Sequence, residues 1–139
     1  MDQFNRMLAR YEPMVRSIFR IMVGLLLFQY GVAKILQYPV LPYFASIPPL
    51  IVFAGWLELV LGALLMLGLF TRPVAFILSG EMAFAYFMGH MFKAGFGAPV
   101  FIPLLNGGNA AILFCFACLY LACAGGGVWS LDAMMRKRA

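Results

Sequence analysis

Four apolar runs, each about 20 residues long and so matched as helices to the thickness of a bilayer, dominate this chain. They extend from about Ile18 to Leu36, Leu50 to Phe70, Val74 to Met91 and Asn109 to Val128. None alternates polar with apolar residues as a barrel strand would, so each is expected to be a helix. Composition agrees: 65% of the residues are hydrophobic and 11% are charged, whereas about a quarter are charged in an ordinary soluble domain. The expected fold class is all-α, a four-transmembrane-helix bundle forming one domain over residues 1–139, with no room for a second.

Proline and glycine punctuate the runs. Pro39, Pro42, Pro48 and Pro49 separate the first two, and Thr71, Arg72 and Pro73 make a tight second connection. Pro99, Pro103, Asn106, Gly107 and Gly108 crowd the third. Arg6, Arg10, Arg16 and Arg20 precede or enter the first run, Arg72 lies in the second connection, and Arg136, Lys137 and Arg138 follow the fourth. Only Lys34 and Lys93 flank the other two loops, so both termini are expected in the cytoplasm. The formal net charge of +5 is thereby explained by topology and attraction to headgroups, which makes the lipid bilayer a partner and nucleic acid an unnecessary one. The lead, residues 1–17, sets Phe4, Met7, Leu8 and Tyr11 against Arg6, Arg10 and Glu12 and is expected to lie along the headgroups. No small-residue cleavage pattern follows the first run, so the lead is expected to be retained.

Glu58 and Glu81 interrupt this apolar pattern in the middle of the second and third runs. A carboxylate at that depth is costly, which makes each a candidate functional residue. On a helical wheel Glu58 shares a face with Ala54, Gly55 and Gly62, small residues that let a neighbouring helix approach, so Glu58 is expected to point into the bundle. Arg20, Gly24, Gly31 and Lys34 share one face of the first helix. Counted from the ends of their runs, Glu58 lies about 12 Å below Leu50 and Glu81 about 15 Å below Met91, which puts the two at one level where they would face a shared cavity. Two carboxylates in one low-dielectric site do not both ionise cheaply. The plainer alternative is that either one is hydrogen-bonded to a neighbouring helix and holds the bundle together.

The remaining polar residues divide between site and scaffold. His90, half a turn from Glu81 on the wheel, is expected to cap a helix end. Met88, His90 and Met91 have the look of soft-metal ligands, but methionine abounds throughout the chain and no metal is assigned. Cys115 and Cys118 have C-x-x-C spacing, yet they sit among Ile112, Leu113, Phe114, Phe116 and Leu119, where a thiolate is disfavoured, so with Cys123 they are read as packing residues. Asn106, Gly107, Gly108 and Asn109 open the fourth run either as a plain turn and helix cap or as walls of an outward-facing pocket beside Lys34.

The order of these motifs resembles the DoxX family of small four-helix bacterial membrane proteins, over nearly everything from Arg20 to Asp132. The family's early Arg and Gly and its G-x-x-K are matched by Arg20, Gly24 and Gly31 to Lys34. Its second-helix Glu with a following Gly and its G-L-x-T-R turn are matched by Glu58, Gly62 and Gly68 to Arg72. Its N-G-G and S-x-D are matched by Asn106 to Gly108 and Ser130 to Asp132. The chain departs at Asn109, where the family usually has Glu. The resemblance implies a multi-pass protein of the bacterial inner membrane. Some relatives look like membrane subunits of a thiosulfate to quinone oxidoreductase, and others are associated with resistance to quinones, oxidants or thiol stress.

The leading expectation is therefore a quinone-linked oxidoreductase component. Glu58 and Glu81 are its catalytic candidates, Glu58 at the centre of the site as proton carrier and Glu81 as a second acid or hydrogen-bond partner; Lys34, Asn106, Asn109, Trp56 and Tyr86 are its candidate binding residues, and Lys34 or Arg72 the candidate charge partners. Arg20, Arg72, His90 and Asp132 are assigned to structure and helix ends. A quinone or similar small apolar molecule is the candidate ligand, since no nucleotide or haem motif is present. The alternatives are a non-catalytic anchor or assembly partner of an oxidoreductase, and a small-solute carrier, which with four helices would require a homo-oligomer.

Overall fold

The computed structural model describes all of residues 1–139 and is entirely helical. In chain order, α1 spans Asp2–Ile35, α2 Pro49–Leu67, α3 Thr71–Tyr86, the short α4 Pro103–Asn106, α5 Asn109–Ala124 and α6 Leu131–Arg138. A single 3₁₀ turn, Pro42–Phe44, lies in the first connection, and α3 widens into a π turn over Phe87–Met91. Three helical segments are long and apolar enough to cross a membrane: α1, α2, and α3 with its π turn. The fourth apolar helix, α5, is shorter at 16 residues.

Local chemistry sets the boundaries, which differ from the sequence reading in three places. Residues 1–17 and the first span form one helix of 34 residues, about 51 Å long. Pro13 deletes only one donor from its ladder, and no other breaker occurs before Gly24. The second turn is Gly68–Phe70, and Thr71, Arg72 and Pro73 belong to the first turn of α3, where a missing proline N–H leaves no bond unmade. Gly68 adopts φ 69° and closes α2 with bonds from its own N–H to Leu65 and from the Leu69 N–H to Leu64, a Schellman cap. Finally, α5 stops at Ala124 rather than Val128, because Gly125 and Gly127 take φ 85° and 81°.

The main helices pair as α1 with α2 and α3 with α5, and α2 meets α3 across the tight turn. Glycine sets the first pairing. A Cβ on Gly31 would lie 2.4 Å from the Leu59 nitrogen, one on Gly62 2.8 Å from the Phe28 nitrogen, and one on Gly24 2.7 Å from the Met66 nitrogen. The two backbones therefore touch along the face that carries Glu58. Val23, Leu27, Leu65, Val74, Ala75, Leu78, Met82, Cys118 and Leu121 form the apolar core between the helices. Only 26 of the 139 residues are buried, while Phe53, Val60, Phe76, Leu113 and Phe116 face outward at half exposure or more. An apolar exterior around so thin a core suits lipid as the solvent.

Candidate functional site

The polar groups gather in three places. Inside the bundle, Lys34 near the end of α1 reaches across to Glu58 on α2, its ammonium 2.8 Å from Oε1 and 2.7 Å from Oε2. The Glu58 side chain is 2% exposed and that of Lys34 13%. The glycines explain the geometry: Gly31 and Gly55 bring the backbones close enough for a lysine stem to lie along α2, and a Cβ on Gly55 would come within 2.9 Å of the Lys34 Cβ. The ammonium also lies 5.9 Å from the Tyr30 ring centroid and 5.7 Å from that of Phe44, within cation–π range. Two charges in a low-dielectric interior are tolerable when paired and hydrogen-bonded in this way.

Glu81 on α3 lies near enough for Glu58 and Lys34 to act on it electrostatically, and it has no comparable partner. Both its carboxyl oxygens are buried and neither makes a hydrogen bond. Buried polar atoms are otherwise almost always bonded, so this pair of oxygens is the molecule's clearest unmet demand. Ser79, two residues earlier, bonds instead to the Cys115 carbonyl at 2.8 Å and joins α3 to α5.

A second cluster lies between the far end of α3 and α4. The Asn106 amide donates to the Val100 carbonyl at 2.8 Å and to the Tyr86 hydroxyl at 3.4 Å, while its Oδ1 accepts from the Gly108 N–H at 2.8 Å. Tyr86 donates to the Phe101 carbonyl at 3.1 Å, and His90 Nδ1 donates to the Asn106 carbonyl at 3.1 Å. Asn106, Tyr86 and His90 are thus brought together, and their polar atoms stitch the loop. Asn109 is exposed at the start of α5, and Trp56 is 51% exposed on the outside of α2. Trp56 is two residues from Glu58, which on a helix puts it on nearly the opposite face.

The third cluster closes the opposite end of the bundle. Arg20, fully buried, donates to the carbonyls of Gly126 at 2.9 Å, Leu65 at 2.6 Å, Trp129 at 2.6 Å and Met66. It thereby adds to the Gly68 N–H at the Leu65 carbonyl, supplies a donor to that of Met66, and ties the end of α2 to the loop after α5. Arg72 does the same for Ala122 and Cys123 of α5, and Arg16 for Ala124. Cations at helix C-termini also meet the negative end of the dipole. Asp132 of α6 accepts the N–H groups of Phe70 and Thr71, each at 2.9 Å, and so caps α3. Partial burial opposes its charge, but these bonds and the nearby Arg136 more than offset that and hold the Asp132 carboxyl below the usual aspartate range.

Lys34, rather than Arg72, is therefore the charge partner of Glu58. Tyr30 and Phe44 did not stand out in the sequence, and Arg16 and Ser130 stood out only as a cytoplasmic charge and as part of the S-x-D match, not for the bonds they make. Tyr30 was legible, one helical turn before Lys34 on the same face. So was Ser130, whose hydroxyl accepts the Ala133 N–H at 3.1 Å as the N-cap of α6. Phe44 comes from a loop, where spacing carries no signal.

Comparison with known proteins places this arrangement among relatives. A family model described as DoxX matches residues 15–91. A protein of Haemophilus influenzae (strain ATCC 51907 / DSM 11121 / KW20 / Rd), described as "Uncharacterized protein", is 40% identical over 134 residues, covering 94% of this chain and 98% of its own. No solved structure matches the chain.

Proposed function

The chain belongs to the DoxX family, and from that premise we propose that it is a quinone-linked oxidoreductase component of the bacterial inner membrane, with four spans and both termini in the cytoplasm. The orientation is supported by the eight Lys and Arg residues at the end where α6 packs, against Lys34 and Lys93 toward the other. The observation that carries the functional reading is Glu81: two buried oxygens without a partner beside a closed Lys34–Glu58 pair. That demand fits a ligand with an oxygen able to take up or give a proton, presented on an apolar body that reaches the site through lipid. A quinone has this form, and when bound it supplies two-electron redox chemistry.

In this reading Glu81 exchanges a proton with the ligand's oxygen, and Lys34 holds the developing negative charge there while Glu58 keeps the ammonium in place. The electrons come from a redox partner protein. The direct test is binding of a soluble quinone analogue to the purified protein in nanodiscs, followed by infrared difference spectroscopy of the carboxyl bands. A carboxyl signal on binding that vanishes in Glu81→Gln supports the assignment. Equal binding and equal spectra in the parent, Glu81→Gln and Glu58→Gln rule it out.

A second reading is a non-catalytic anchor for an oxidoreductase. It is favoured by the start of α1, where every residue from Asp2 to Glu12 is exposed, with Phe4, Met7, Leu8 and Tyr11 uncovered. Loss of partner capture on deleting residues 2–11, with no response to a quinone analogue, would select this reading over the first.

A further inference from the structure

The connection between α1 and α2 does more than turn the chain. Among residues 38–46 only Leu41 and Phe44 are not exposed, and the adjacent Tyr43 lies in the open. Phe44 stands over the Lys34 ammonium from the loop as Tyr30 does from α1, at 5.7 and 5.9 Å to the ring centroids. The one inward ring of the loop thus covers the ion pair at the end of the bundle where α1 and α2 are joined.

A single side chain holds the loop in this position. Gln37 Nε2 donates to the Lys34 carbonyl at 3.0 Å and to the Phe44 carbonyl at 2.9 Å. The backbone hydrogen bonds of residues 38–47 stay within the loop, from the Phe44 N–H to Leu41 and from the Ala45 N–H to Pro42. Gln37 does this from an unfavourable backbone. It follows the last turn of α1 at φ 55°, a left-handed conformation that glycine adopts freely and a side chain resists. Strained residues persist where their surroundings fix them, and they gather at ligand clamps and switch regions. Glycine would end the helix better. What glycine could not supply is the amide that joins Lys34 to Phe44.

We propose that residues 37–47 form a latched lid over the Lys34–Glu58 pair, in which Phe44 excludes water and Gln37 is the positioning residue that keeps it closed. Closed, the lid keeps the pair in a low-dielectric setting, where the Lys34 charge acts strongly on its neighbours. Pro39 and Pro42 stiffen the loop between its ends, so it moves as a unit once the Gln37 bond to Phe44 is released, and water then reaches the pair. In the reaction proposed at Glu81, on which this last consequence alone rests, the open lid is the route by which protons enter the site.

The test reads Lys34 directly and needs no quinone. The full chain in nanodiscs is treated with a water-soluble, membrane-impermeant amine-acylating reagent, and modification of Lys34 is followed by mass spectrometry relative to that of the exposed Lys93. In the parent, Lys34 should react far more slowly than Lys93. Gln37→Gly should raise the ratio about fivefold, as expected for the loss of one net hydrogen bond, while melting close to the parent because glycine suits the left-handed backbone. Phe44→Ala should raise it at least as much. Val40→Ala, at an exposed position in the same loop, should leave it unchanged. An unchanged ratio in Gln37→Gly, an equal rise in Val40→Ala, or a parent Lys34 that reacts as fast as Lys93 would each overturn the lid. None of these results touches the assignment of Glu81, and a failed quinone response there leaves the lid standing.

Discussion

The two ends of this bundle treat buried charge in opposite ways. At the end where α6 packs, Arg16, Arg20 and Arg72 direct their guanidinium groups at backbone carbonyls, and Asp132 accepts backbone N–H groups. Each charge there completes a helix terminus that would otherwise be open. Deeper in the bundle the charges ignore the backbone: Lys34 meets Glu58 side chain to side chain, and Glu81 meets nothing. A charge that caps a helix is explained by the fold. A buried carboxyl that bonds to nothing in the fold is explained by something outside it.

This contrast is broken most severely at Arg20. Arg20→Met should leave the carbonyls of Met66, Gly126 and Trp129 without this donor, Leu65 keeping the Gly68 N–H, and at about 1–3 kcal/mol for each buried unsatisfied group the loss is on the order of 5 kcal/mol. Unfolding in detergent followed by circular dichroism would register this as a collapse of the melting temperature or a failure to fold. A mild effect would mean that water replaces the guanidinium and that this end is open to solvent.

The Lys34–Glu58 pair should come next. Glu58→Ala strands a lysine in an apolar interior and should cost about 3–5 kcal/mol, whereas Lys34→Met combined with Glu58→Leu should recover most of that loss. Recovery in the double variant, measured by the same unfolding curves, marks the pair as retained for a reason other than stability. A double variant no better than Glu58→Ala would instead make the pair part of the scaffold, like the arginines.

A smaller effect is expected from Asp132→Asn, which weakens the cap of α3 and should cost about 1 kcal/mol at neutral pH. Because folding lowers the pKa of Asp132, its contribution is present above the ordinary aspartate range and fades as the pH falls through the folded value. The stability gap between parent and variant should therefore close on acidification below about pH 4. A gap that widened instead would assign the cap to another group.

The sequence made one side of this contrast easier to read than the other. Helical class and the inward face of Glu58 follow from run length and from the small residues at Gly55 and Gly62, because lipid leaves the backbone few choices. The end of α5 was misplaced because three consecutive glycines read as an apolar continuation until the positive φ angles of Gly125 and Gly127 are seen. The targets of the arginines were not legible. Positive charge at a span end predicts orientation equally well whether the side chain faces headgroups or reaches a carbonyl on a helix distant in sequence, as Arg20 does to Trp129. The partner of Glu58 was narrowed only to Lys34 or Arg72, since a wheel gives direction within one helix and not the rotation of the next.

Glu81→Gln should have the smallest effect on stability of all, within about 1 kcal/mol, because no hydrogen bond is removed and the shape is kept. Its neighbour makes the comparison sharp: Glu58→Gln breaks a bidentate ion pair and should lower the melting temperature clearly more. If Glu81 is held for a ligand, Glu81→Gln should unfold like the parent while losing the carboxyl response to a quinone analogue. Both halves are needed. A Glu81→Gln protein that melts well below the parent would show that the carboxyl has a structural partner after all, and the distinction between charges that close the fold and a charge that waits on something else would no longer stand.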